Sequence, residues 1–105
     1  MSAPIHFSRG PSSKDLRKQA GTWLKQRRQA AGLSQIRLAQ KLGLKYYTFI
    51  SQVENGFGRV PSDSMEAWAT ALGVPPSEFA RCLLSYYDPD LHRLLFGPLP
   101  TSSEN

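Results

Sequence analysis

Between Ser34 and Gly56 lie the side chains of this 105-residue chain best suited to directed hydrogen bonding: Gln35, Lys45, Tyr46, Tyr47, Thr48, Ser51, Gln52 and Asn55. An amide such as Gln52 presents an acceptor and a donor side by side, the pairing that matches adenine in the major groove of a duplex. Thr48 offers a hydroxyl and a methyl, and Tyr47 a phenol, for a base or a phosphate. This is the chemistry of recognition. The sequence carries no nucleophile with a matching base, no phosphate-cradling glycine loop and no metal-ligand cluster, so neither catalysis nor a cofactor is expected. Cys82 is the one cysteine, and its spacing from His6 and His92 fits no metal site. It reads as a small buried side chain in a reducing compartment, and His92 as a polar residue near a helix C-terminus.

Charge is divided unevenly along the chain. The net charge is +5 and the isoelectric point about 9.7. Through residue 45, ten lysines and arginines stand against Asp15 alone, whereas the remainder holds three arginines against seven acidic residues. A basic half of this kind is suited to phosphates, and an acidic half to a partner or to solvent. Arg9, Lys14, Arg17, Lys18, Lys45 and Arg59 are candidate phosphate contacts, which makes affinity for a nucleic acid steeply salt-dependent. The N-terminal basic residues are alternatively suited to a minor groove. No signal-peptide pattern or membrane-length apolar run occurs, so a cytoplasmic protein without a membrane partner is expected.

Positioning these groups requires helices. Apolar residues recur at helical spacing between Gly and Pro stops, without strand alternation or repeats, which predicts one all-α domain over residues 13–97. A flexible basic arm is expected over 1–12 and a disordered tail over 98–105. Helix one is expected from Ser12 or Ser13 through Leu16, Ala20, Trp23, Leu24 and Ala31 to Gly32. Helix two follows Ser34 as N-cap, carries Ile36, Leu38, Ala39 and Leu42, and stops at Gly43. Helix three is expected over Tyr46 to Glu54, with Ile50 and Val53 inward and Gly56 as its stop. That wheel turns Thr48, Ser51, Gln52 and Asn55 outward, with Tyr47 at the leading edge. Asp63 and Glu66 have capping-box spacing before helix four, whose inner residues are Met65, Trp68, Ala69 and Leu72. Helix five opens at Pro75-Pro76, and Asp88-Pro89 opens a short sixth helix that ends at Gly97-Pro98. Trp23 and Trp68 read as core anchors and Phe49 as structural, while Tyr46 is balanced between packing and contact.

Two short helices joined by a glycine-containing turn on the basic side describe a helix-turn-helix. The run Gly32-Leu33-Ser34-Gln35-Ile36-Arg37-Leu38-Ala39-Gln40-Lys41-Leu42-Gly43 resembles the opening of the lambda-repressor/Cro-like (Xre) family. Ile50-Ser51-Gln52-Val53-Glu54-Asn55-Gly56 resembles its close, and Leu72-Gly73-Val74 its fourth-helix exit. The resemblance spans roughly residues 24 to 84 and implies a five-helix lambda-repressor-like domain, here extended by the short sixth helix. It also implies a sequence-specific, DNA-binding transcriptional regulator of bacterial or phage origin, with repression as the expected mode. By this resemblance Gln35 clamps the DNA backbone, and Arg28 and Glu54 form an ion pair between helices one and three. Gly43 and Glu54 stand one residue further apart than the family pattern, leaving Lys45, Tyr46 and Tyr47 either in the turn or in the first helical turn. The Gly56-Phe57-Gly58-Arg59-Val60-Pro61 loop also departs from the commonest pattern.

Leu83, Leu84, Tyr86, Tyr87, Leu91, Leu94, Leu95 and Phe96 carry more apolar surface than a terminal element needs. Tyr86, Tyr87, Leu91, Leu94, Leu95 and Phe96 are therefore the expected homodimer interface, which places two recognition helices on a palindromic double-stranded DNA site. Two rival readings remain open at this level. One is an antitoxin-type regulator that also binds a toxin protein through the C-terminal half, and the other is a protein-protein interaction module on the same fold.

Overall fold

Six α-helices and one 3₁₀ turn make up the computed structural model, which describes residues 12–98. α1 (Ser13–Ala30) begins where the Ser12 hydroxyl accepts the Asp15 amide at 3.2 Å and the Asp15 carboxylate accepts the Ser12 amide in return. This reciprocal cap satisfies two amides that the helix leaves free. Asp15 in the first turn and Arg27 and Arg28 in the last complement the helix dipole. Of its buried residues, Ala20, Leu24 and Arg28 step four apart along one face, with Gly21 beside Ala20.

α2 (Gln35–Lys41) is capped by Ser34, whose hydroxyl accepts the Arg37 amide at 3.0 Å. Only Leu38 and Ala39 of this two-turn helix are buried. Gly43 closes it at φ +70°, where a side chain would be strained, and the Leu44 amide returns to the Ala39 carbonyl. α3 (Thr48–Glu54) buries Ile50, Val53 and Glu54. A 3₁₀ turn at Ser62–Ser64 leads into α4 (Met65–Leu72), followed by α5 (Pro76–Tyr87) and α6 (Pro89–Phe96). Asp88 caps α6 by accepting the Leu91 amide at 3.1 Å.

The core is one cluster built from Leu24, Leu38, Ile50, Val53, Val60, Trp68, Leu72, Phe79 and Leu83, with Ala20, Ala39 and Ala69 filling its narrow places. Trp23 lies half-buried at its edge, its ring 5.7 Å from that of Phe79. α5 is the central support, packing against α1, α4 and α6, while α3 is held between α1 and α2.

Several local expectations are corrected. α3 starts at Thr48 rather than Tyr46, so Lys45, Tyr46 and Tyr47 occupy the turn and the extra residue is taken up there. The Asp63–Glu66 capping box does not form: Asp63 is inside the 3₁₀ turn, and α4 starts after Ser64 without a side-chain cap. Ala31 lies beyond the end of α1, and Ile36 is exposed because the seven-residue α2 has only enough inner face for Leu38 and Ala39. His92 lies in the middle of α6 rather than near a helix C-terminus. It is the buried residue of α6, packed 5.0 Å from the Phe96 ring, while Leu94 and Leu95 face outward. Arg9, the rest of the expected arm before residue 12 and the tail beyond 98 lie outside the described residues.

The approach of α1 to α3 depends on Gly21. A Cβ there would press against the Glu54 carbonyl, with the Val53 oxygen 2.7 Å away. Alanine is intrinsically the better helix former by about 1 kcal/mol, so a surface glycine replaced by alanine would gain stability. Gly21→Ala is expected instead to cost about 1–3 kcal/mol through overpacking. Urea unfolding measures this, and an unchanged or raised midpoint would contradict the close approach.

Candidate nucleic-acid interface

The centre of the candidate interface is a buried carboxylate. Glu54, the last residue of α3, accepts Arg28 Nε at 2.6 Å and Arg28 Nη2 at 3.0 Å, a two-pronged ion pair between side chains that are each nearly sealed from solvent. Arg28 Nη1 also donates to the Leu33 carbonyl at 2.8 Å, and Gln35 Nε2 donates to Glu54 Oε1 at 3.0 Å. One carboxylate thus joins α1, the α1–α2 connection, the first residue of α2 and the end of α3. Charge-assisted bonds of this type fix orientation as well as distance. The Gln35 amide nitrogen is turned inward by this bond, and Gln35 remains only half-buried at the helix N-terminus.

Rigid placement of α3 decides what its outer face presents. Thr48, Gln52 and Asn55 are exposed, and Ser51 is half-buried. The Asn55 side-chain nitrogen donates to the Ser51 hydroxyl at 3.4 Å, joining these two polar groups. Tyr46 and Tyr47 are both exposed in the turn ahead of the helix, and the Lys45 ammonium sits 5.5 Å from the centre of the Tyr46 ring. Tyr46 therefore belongs to the surface rather than to the core. At the other end, the Phe57 and Gly58 amides both donate to the Gln52 carbonyl, and Gly56 adopts φ +83° with its Cα face against the Lys18 backbone. Phe57 is left fully out in solvent by this turn.

Lys14 is exposed on the first turn of α1, and Arg17 half-buried on the next. Arg59 is exposed, its guanidinium 4.5 Å from the centre of the Tyr87 ring. The Tyr87 hydroxyl accepts the Val60 amide at 3.2 Å. Burial pushes this phenol above its ordinary range, opposed by the Val60 amide and by the nearby Arg59 and Arg17 guanidinium groups. Tyr87 is thus engaged within its own chain. Of the residues expected at a homodimer contact, Tyr86 and Tyr87 are half-buried against the core, whereas Leu91, Leu94, Leu95 and Phe96 are exposed. The pairing of Arg59 with Tyr87 had no sequence signal, since 28 positions separate them. The close approach at Gly21 likewise had no sequence signal, since its partner backbone lies on α3.

A helical domain whose third helix projects polar side chains from a basic surface is, as a class, a DNA-binding helix-turn-helix domain. The helix-turn-helix family model matches residues 24–79, more than half of the chain, and the protein belongs to that family, of the lambda-repressor-like (Xre) kind. No curated protein matches the sequence. The protein is a DNA-binding regulator of transcription. Among the described residues no helix is long and apolar enough to cross a membrane.

Removing Arg28 alone would leave the Glu54 carboxylate buried without its counter-charge. Arg28→Met is expected to destabilise the domain by about 3–5 kcal/mol, and adding Glu54→Leu to recover most of that loss. Urea denaturation of both variants measures this, and equal losses in the single and double variants would show that the two charges are not coupled.

Proposed function

We propose that the protein is a sequence-specific repressor that binds a palindromic operator as a homodimer and occludes a promoter. The observation that carries this reading is the exposed row of Thr48, Gln52 and the preceding Tyr47, held by the buried Glu54 node. Tyr47, Thr48, Ser51 and Gln52 take the base edges, Gln52 as a donor-acceptor pair suited to adenine. Gln35, Lys45, Tyr46, Asn55, Arg59, Lys14 and Arg17 take phosphates, which orient the domain without reading sequence. The α2 N-terminus adds its free amides beside Gln35.

The outward face of α6 supports the homodimer. Leu94 is 71% and Leu95 60% exposed while the polar His92 is turned inward, an inversion that leaves leucines in water unless a second molecule covers them. A twofold contact there sets the two recognition helices on successive major-groove turns, about 34 Å apart. The same leucines also favour a second reading, in which the covering molecule is a different protein, such as the toxin of an antitoxin pair, and the DNA contacts are unchanged.

Selection from a random duplex pool near physiological ionic strength, followed by titration against a scrambled duplex, tests the proposal. The expected result is a palindromic winner bound at least ~1,000-fold more tightly than the scrambled sequence. Gln52→Ala is expected to weaken that binding by about tenfold or more and to relax preference at one base position per half-site. Uniformly weak, salt-sensitive binding would overturn the specific-regulator reading, and a non-palindromic winner would overturn the homodimer.

A further inference from the structure

Tyr87 closes α5, immediately before the Asp88 cap of α6, yet its side chain is spent on the turn that follows α3. It holds that turn at two points. Its hydroxyl accepts the Val60 amide, fixing the backbone one residue beyond Arg59, and the face of its ring lies under the Arg59 guanidinium. The Arg59 side chain remains exposed, so its guanidinium donors are open to another partner. Arg59 forms no ion pair among the described residues. Beside it, Arg17 has a buried Nε with no hydrogen-bond partner among the described residues, and it is close enough to act electrostatically on the Tyr87 hydroxyl.

Among the described residues neither guanidinium is paired with a carboxylate, so each keeps its charge to offer an anion. An anion at the exposed Arg59 guanidinium is attracted by both charges and accepts hydrogen bonds from its donors. A free arginine loses considerable side-chain freedom on binding, whereas one already laid on an aromatic ring has lost part of it beforehand.

We propose that Tyr87 is a positioning residue for DNA binding, holding Arg59 and its turn where the guanidinium takes a backbone phosphate of the duplex. The inference rests on the reading of Arg59 as a phosphate contact. It assigns Tyr87 to the DNA-binding machinery rather than to an interface between copies, and it ties the end of α5 to the flank of the recognition helix.

A double-variant cycle on the full chain tests it. The wild type, Arg59→Ala, Tyr87→Leu and the double variant are titrated by fluorescence anisotropy with the duplex selected by the wild type, over a series of salt concentrations. Arg59→Ala is expected to lower the slope of log affinity against log salt by about 1, as loss of one phosphate contact does. Tyr87→Leu is expected to weaken binding about two- to fivefold, the scale of an exposed cation–π contact, and to have no further effect once Arg59 is absent. A merely structural role for Tyr87 would give the same loss in both backgrounds, and that result overturns the proposal. An unchanged salt slope in Arg59→Ala also overturns it while leaving DNA binding intact. A wild type that binds no duplex would instead fail the functional reading on which the proposal stands. Should the leucine variant not fold, Tyr87→Phe replaces it in the cycle. A loss that persists without Arg59 then overturns the proposal, as does no loss at all.

Discussion

A carboxylate buried at the end of α3 constrains everything around it. Glu54 is sealed from water, so its charge must be met inside the protein, and Arg28 meets it with two donors from α1. Coulomb attraction and hydrogen bonding act in the same direction here, and the geometry that satisfies both admits little rotation of α3 about its axis. Gln35 adds a third donor from α2. The two helices of the helix-turn-helix are therefore fixed to each other and to α1 by one polar group, while the surrounding Ile50, Val53, Leu38 and Leu24 exclude water. The apolar cluster supplies the larger share of stability, and the ion pair supplies orientation.

Backbone proximity complements that node. Gly21 lets α1 approach the last turn of α3 more closely than any side chain allows, and Gly56 does the same for the turn against Lys18. These contacts bring the basic first turns of α1 beside the C-terminal end of α3. A polyanion approaching α3 from that side meets these cations first.

The region where α5 meets α6 follows a different logic. α6 turns a histidine inward and leucines outward, while Arg81 lies over the Phe96 ring and Tyr87 reaches back to Val60 and Arg59. The junction of α5 and α6 thus serves two neighbours, the turn after α3 and an uncovered apolar face. A helix whose apolar side faces water is stabilised by whatever covers it.

Periodicity, caps and stops were enough to read six helices from the residues alone: Ser12, Ser34 and Asp88 are strong caps, Gly43, Gly56 and Gly97 adopt left-handed φ values, and Pro76 and Pro89 open helices. Those are local properties of a few neighbouring residues, so a linear reading reaches them. The polar row on α3 was legible for the same reason, since Ile50 and Val53 define which side is inward. Other features depend on distant partners. Whether the extra residue lengthened the turn or the helix was decided by how α3 docks on α1, and the Asp63–Glu66 signal gave way to a 3₁₀ turn. Only packing set which side of α6 lies against α5, and only the chain's path through space brought Tyr87 to Arg59. Such choices are made by competition among elements far apart in sequence, where burial and close contact outweigh local preference.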